Sequence, residues 1–213
     1  MKNNYKIVIA CFTVLAFWEN CLADTKIGIG SGVSSLSSGY SGVISMPIKL
    51  DSYMLIEPYL GYSDRSKDVD QASPDYNFSE SKSYQAGVGL YGISKLGVEF
   101  ELYYGAALAV EESDWSNERK STRTINNETY IDINQNKTET SGYLIKPTLG
   151  VSYLINENFT ISLDAGVYYR WGEEKTTTTY NNLLPTTSYD YSESTGDLRS
   201  VNTFTQLMFR MMF

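Results

Sequence analysis

The segment GVEFELYYGAALAVE, residues 97–111, alternates along its whole length. Val98, Phe100, Leu102, Tyr104, Ala106, Leu108 and Val110 share one face, and Glu99, Glu101, Gly105 and Ala107 fall on the other. A period of two over such a length describes a β-strand with one apolar face. The same pattern recurs along the chain, and no stretch beyond residue 23 has a convincing helical period. Ile27, Ile29 and Val33 share a face, as do Ile44, Met46, Ile48 and Leu50. Met54, Ile56, Pro58, Leu60 and Tyr62 form the next, followed by Tyr84, Ala86, Val88 and Leu90. Segments 143–153 and 159–171 and the closing TFTQLMFRMMF (203–213) bring the set to eight. Each is close to the length of about 9–11 residues that a tilted strand needs to cross a bilayer.

The connections sort by length. DSY (51–53), SKL (94–96) and INEN (155–158) are tight polar turns, whereas 64–82, 112–141 and 172–199 are long and rich in Ser, Thr, Asn, Asp and Glu. The first connection, around SSGY (37–40), is short. With eight strands, every tight turn falls at one end and every long connection at the other, the layout of an outer-membrane barrel with periplasmic turns and extracellular loops. STRTINNETYIDI (121–133) and KTTTTYNNLLPTTSYDY (175–191) alternate weakly around Asn-Asn, which predicts projecting hairpins.

The start of the chain has the form of an export signal. MKNNYK is basic, the apolar run from Ile7 to Trp18 is too short to span a bilayer as a helix, and CLA offers cleavage after Ala23. The expected organisation is a signal peptide over 1–23 and a single barrel domain over 24–213. A retained anchor or a lipid-bearing Cys21 are the alternatives, and Trp18, Glu19 and Asn20 are poor residues ahead of a lipidated cysteine. Both cysteines, Cys11 and Cys21, lie in this leader, so no disulfide is expected in the exported chain. Losing Lys2, Lys6 and Glu19 removes a net +1, which takes the whole-chain charge of −8 to −9. A surface so acidic does not attract nucleic acid.

Alternation alone fits a soluble lipocalin-like barrel as well as a membrane barrel, and the second face separates them. It carries Gly28, Gly30, Gly32, Gly61, Gly87, Gly89, Gly105, Gly150 and Gly166, which have little use on a wetted surface and fit a crowded narrow lumen. It also carries Lys26, Gln85 and the charged set Glu57, Glu99, Glu101, Lys146, Asp164, Arg170 and Arg210. The apolar face then meets lipid. Tyr62, Tyr84, Tyr143, Tyr169 and Trp171 near the loop ends, and Phe100, Tyr153, Phe159 and Phe213 near the turn ends, form two interfacial belts. A buried charge needs a partner. Counting from the INEN turn predicts a lumen pair or shared network between Lys146 and Asp164, and a second layer joining Arg210 with Glu57 and Glu99. The crowding predicts that arginine at Gly87 or Gly150 impairs assembly, with alanine or serine tolerated there.

On these features the chain resembles the small outer-membrane β-barrel family, of the OmpX and OmpA-barrel kind, over its whole exported length. The resemblance implies an all-β, eight-stranded, antiparallel up-and-down transmembrane barrel in the Gram-negative outer membrane, with extracellular loops and periplasmic termini. It implies that Leu207, Phe209, Met211 and Phe213 form an insertion signal read by the barrel assembly machinery. It implies outer-membrane lipid and lipopolysaccharide as neighbours.

The chain has no histidine, which excludes Ser-His and Asp-His catalysis and His-rich metal sites. No cofactor is expected, and the protein reads as a non-enzyme. Glu111, Glu112 and Asp114, or Asp64, Asp68 and Asp70, lack the glycine and terminal glutamate of a defined calcium loop and read as solvated charge. Asn77, Asn127, Asn136 and Asn158 fit the glycosylation triplet and are expected unmodified in a bacterial envelope. Two roles follow: an envelope or surface-contact barrel with an unknown extracellular ligand for its loops, and a narrow conduit for small or lipophilic solutes. The charged interior favours the first.

Overall fold

The computed structural model describes residues 25–34, 40–50, 53–67, 75–125, 128–183 and 188–213. The leader expected at 1–23, with Cys11 and Cys21, lies outside them. The chain forms β1 (Lys26–Ser34), β2 (Tyr40–Ser45), β3 (Ile48–Leu50), β4 (Met54–Lys67), β5 (Tyr76–Lys95), β6 (Phe100–Ile125), β7 (Glu128–Leu154), β8 (Phe159–Leu183) and β9 (Ser188–Met212). Neighbours pair antiparallel, and β1 pairs with β9, so the sheet closes.

β2 and β3 are one barrel strand. Gly30↔Ser45 and Ile27↔Ile48 keep the same register on either side of the break. Gly28 N–H still donates to Pro47 O at 2.8 Å, and Met46 N–H to Pro58 O at 2.9 Å. The ladder is interrupted because Pro47 has no N–H to give. The nine segments therefore make an eight-stranded barrel.

The register fixes the barrel's shape. Moving from partner to partner, Arg210 faces Gly30, then Ser45, Tyr59, Gly87, Ala109, Leu144, Arg170 and finally Ser200, ten residues from the start. With strands spaced about 4.8 Å and rising about 3.3 Å per residue, that stagger tilts them by about 40°.

The apolar face points out. Ile44, Leu60 and Leu108 are 67 %, 63 % and 61 % exposed, whereas Ala107 and Ser162 on the opposite face are each 1 % exposed. This facing overturns the soluble lipocalin-like alternative. Ile48 keeps outward parity beside Ile27 and Ile56, although it is itself buried. Aromatics pair across strands in two belts: Tyr62 with Tyr84 and Tyr143 with Trp171 towards the hairpin end, and Phe100 with Tyr153 towards the turn end. Tyr143 and Tyr153 stand ten residues apart on β7. At this tilt the separation is about 25 Å of height, the thickness of the apolar band of a membrane barrel.

The turns are built locally. Gly97, with φ of 137°, occupies a backbone region closed to other residues in the β5–β6 turn. Asn156 Oδ1 accepts from the N–H groups of Asn158 and Phe159 at 2.9 and 2.8 Å in the β7–β8 turn. At the other end the long connections continue as strand. β7 from Ile131 to Gly142 pairs with β6 on one side and β8 on the other, so the wall extends well past the loop-side belt. Thr138–Thr176, Thr178–Asn136 and Tyr180–Asp132 hydrogen bonds tie β7 to β8 there, at 3.2, 2.9 and 2.9 Å.

Two expectations need correcting. The second hairpin does not turn at Asn181–Asn182: these residues pair with Tyr189 and Ser188, and the ladder runs past them. The interior is also not merely small and charged, because Tyr59, Tyr91, Tyr103, Leu55, Ile93 and Leu144 are buried inside. Glycines face the tyrosines across the ladder, in the pairs Tyr59↔Gly87, Tyr91↔Gly105 and Tyr103↔Gly150. A Cβ on Gly150 would lie 2.3 Å from Tyr103 Cζ, and one on Gly87 would lie 2.5 Å from Leu108 O. Alanine therefore does not fit either position without displacing its neighbours. We expect Gly150→Ala to lower the unfolding free energy in lipid vesicles by about 1–3 kcal/mol, the range for overpacking. Urea titration followed by heat-modifiable gel migration measures this, and a wild-type midpoint would show that Tyr103 yields freely.

Candidate functional site

The chemically richest region is the lumen, where charge is stacked in layers. Arg210 forms the centre. Its Nε and Nη2 donate to Glu57 Oε1 and Oε2 at 2.8 and 2.9 Å, a bidentate clamp, and Nη1 donates to Ser162 Oγ at 2.6 Å. Ser45 Oγ donates to Glu57 Oε1 at 2.8 Å, and Asp164 Oδ2 stands 3.8 Å from Arg210 Nη2. Tyr103 O–H donates to Asp164, and its ring lies 5.1 Å beneath the guanidinium. The small residues Gly30 and Ser45 occupy the register row between Arg210 and β4, which leaves the arginine free to cross β1 and β2 to Glu57.

Towards the turn end, Lys49 Nζ meets Glu101 Oε1 at 2.8 Å. Towards the hairpin end, Arg170 holds Glu111, with Nη2–Oε1 at 2.7 Å and Nε–Oε2 at 2.5 Å, and Gln85 Nε2 donates to the same carboxylate at 3.1 Å. Gly142 is the register partner of Glu111, so nothing on β7 blocks Arg170 at that row. Between these layers Lys146 Nζ lies 5.0 Å from the Tyr59 ring and 5.2 Å from the Phe204 ring.

Of the residues expected in this network, Glu57, Glu101, Lys146, Asp164, Arg170 and Arg210 all face the lumen. Glu99 does not join them: it is exposed in the turn before β6, where its carbonyl accepts from Leu154 N–H. Lys146 and Asp164 line one small void but form no ion pair. On β7 the register partner of Asp164 is Gly150, four residues from Lys146. That offset is about 13 Å along the strand, and Asp164 is taken by Arg210 and Tyr103 instead. Lys49, Glu111, Tyr103, Ser45 and Ser162 were not anticipated as members. Parity with Glu101 along β6 would have placed Glu111 inside. Its inward position separates it from the outward Glu112 and Asp114, and Asp68 and Asp70 lie outside the described residues. Leu207, Phe209 and Met211 occupy the outer face of β9, away from the network, and Phe213 follows the strand, exposed.

The layers divide the lumen. A cavity of about 510 Å³ opens on the hairpin side, lined by Arg65, Gln85, Lys146, Arg170 and Phe204 among others. Another, of about 590 Å³, opens on the turn side and ends at Arg210. Between them lies a void of about 30 Å³, bounded by Glu57, Tyr59, Asp164 and Met208. That is room for about two water molecules. A further cleft of about 1160 Å³ lies at the level of the hairpin-side belt, where Gly32, Gly61, Gly142 and Gly172 line it.

A closed eight-stranded barrel with an apolar girdle, two aromatic belts and a charged, filled interior is a transmembrane barrel. More particularly, it has the fold of the small outer-membrane barrels. A major outer membrane protein from Thermus thermophilus superposes with a TM-score of 0.52 at 12 % identity, over 89 % of this chain and 99 % of that one. Neisserial surface protein A gives 0.48 at 14 % identity over 89 % and 97 %. CarO from Acinetobacter baumannii gives 0.47 at 12 % over 88 % and 98 %. No family model and no curated protein matches the sequence.

The Arg210 layer makes a quantitative prediction. Removing one member of a buried, hydrogen-bonded pair costs about 3–5 kcal/mol because the other charge is left uncompensated. Glu57→Met and Arg210→Met should each destabilise by about that amount, whereas the double variant should cost less than either loss added to the other. A double-mutant cycle by urea unfolding in vesicles reads this directly, and additive losses would show that the two side chains act independently.

Proposed function

We propose that the protein is a non-enzymatic barrel of the Gram-negative outer membrane that presents its paired hairpins to other surfaces. In this reading the hairpins are extracellular, and the tight turns and both ends of the barrel are periplasmic. The observation that carries it is the filled waist of the lumen, where about 30 Å³ separates the two cavities. Along the lumen as a whole the four cations Lys49, Lys146, Arg170 and Arg210 are matched in number by the four anions Glu57, Glu101, Glu111 and Asp164, and Arg210 meets Glu57 and Asp164 at the waist itself. The hairpins supply the working surface. Among the described residues, β9 from Ser188 to Leu198, beyond the row of the belt residue Trp171, has β8 as its sole sheet neighbour. A free strand edge offers backbone donors and acceptors to an extended segment of another molecule. The belts suit lipid and lipopolysaccharide, and the outer face of β9 suits recognition by the barrel assembly machinery.

Planar-bilayer recording tests the central point. The purified protein should insert without steady single-channel current in molar salt. Reproducible current steps would favour the conduit role, with the waist opening in the membrane.

A further inference from the structure

We propose that the hairpin-side cavity of the lumen binds a small hydroxylated organic anion, of the size and chemistry of a monosaccharide carboxylate. The first reason is charge. Lys146, Arg170 and Arg65 line this cavity, and Glu111 is the single carboxylate among its lining residues. Glu111 is already held by Arg170 and Gln85. The Lys146 ammonium, by contrast, makes no hydrogen bond or ion pair among the described residues, and its neighbours are the Tyr59 and Phe204 rings. The two rings orient the ammonium without taking its hydrogen-bond donors, which are left for an incoming acceptor. It sits at the boundary between the cavity and the central void, so a carboxylate entering from the hairpin side meets it at the floor.

The second reason is the rest of the lining. The amide of Gln206 lies near that floor, Ser63, Ser83 and Ser113 form a row of hydroxyls higher on the wall, and Phe204 offers a flat apolar surface. A volume of about 510 Å³ falls within the about 300–1,000 Å³ of small-molecule sites. Amides and hydroxyls on the wall, a ring on one side and a cation at the base match a sugar acid better than a bare inorganic ion, which would leave most of the wall unused. The site stands above the waist, so occupancy does not require passage. The inference is therefore independent of whether the barrel conducts.

Isothermal titration of the purified protein in detergent micelles with gluconate and glucose tests the assignment. Gluconate should bind at least about tenfold more tightly than glucose, the scale of one charge-assisted hydrogen bond. Lys146→Met should remove that preference, and Lys146→Arg should keep most of it. Arg65→Gln, at the exposed rim, should weaken gluconate about threefold and gives a second readout if Lys146→Met does not fold. No gluconate binding, equal affinity for glucose, or unchanged gluconate affinity in a folded Lys146→Met or Arg65→Gln variant overturns the assignment. A failure of the closed-lumen reading would show as bilayer current instead, so the two outcomes are separable.

Discussion

Lipid offers no hydrogen bond to a backbone, and the rest of this structure follows from that constraint. An open sheet edge at membrane depth would leave several kcal/mol per residue unsatisfied. The β1–β9 seam removes it, and the composition of the seam shows how. Gly28, Gly30 and Gly32 on β1 stand in register with Met212, Arg210 and Met208 on β9. In these three rows one strand supplies no side chains on the inner face and the other supplies three long ones. Two strands of ordinary residues could not close at this radius without filling the lumen twice over, since a side chain placed on Gly28 would lie 2.3 Å from Met211 O.

The same exchange repeats around the wall. Tyr59 and Tyr103 lean over Gly87 and Gly150 of the adjoining strands, and Tyr91 leans over Gly89 of its own, so large and absent side chains alternate. Interiors tolerate neither voids nor overlap, and a narrow barrel has little freedom to relax either. Within that packing the charges are admissible because they are matched. Arg210 has Glu57, Asp164 and Ser162. Arg170 has Glu111, and Lys49 has Glu101. Replacing these pairs by apolar residues of similar volume need not cost stability, so their presence calls for another reason.

Much of this was legible in the sequence because it is local. Period-two alternation gives the facing of each strand, and the Tyr62/Tyr84, Tyr143/Trp171 and Phe100/Tyr153 belts follow once the facing is known. Partner choice is not local. Across the lumen it depends on a ten-residue stagger accumulated over all the strands, whereas between β7 and β8 the turn itself sets the register, and Leu154↔Thr160 puts Asp164 opposite Gly150, four positions from Lys146. Glu99 had the right parity for the lumen but lies one residue before the strand begins. Glu111 opens a polar run that reads as loop, although the strand continues to Ile125. The inward tyrosines were hidden because an aromatic residue in a membrane barrel suggests an interface, and only the facing glycines signal that a ring needs room. The Asn181–Asn182 pair has the composition of a turn, yet the ladder with β9 carries it as strand.

The charges find their reason in register. A strand slipped by one residue sends every inward side chain outward. For β9 that slip would deliver Arg210 to hydrocarbon and bring Phe209 and Met211 into the waist beside Glu57. A basic side chain on the lipid face costs about 2–4 kcal/mol at the bilayer midplane and about 0–1 kcal/mol near an interface; Arg210 pairs with Thr160 beside the turn-side belt, so the larger penalty is the carboxylate abandoned inside. An apolar lumen would impose no such cost, because both faces of the strand would then suit either side of the wall. The matched charges sit on β3, β4, β6, β8 and β9, so slips at several of the ladders separate a pair. Stability comes from closure and packing. The ionic layers make the closed barrel with this register far better than its neighbours in register, and they fill the waist as a consequence.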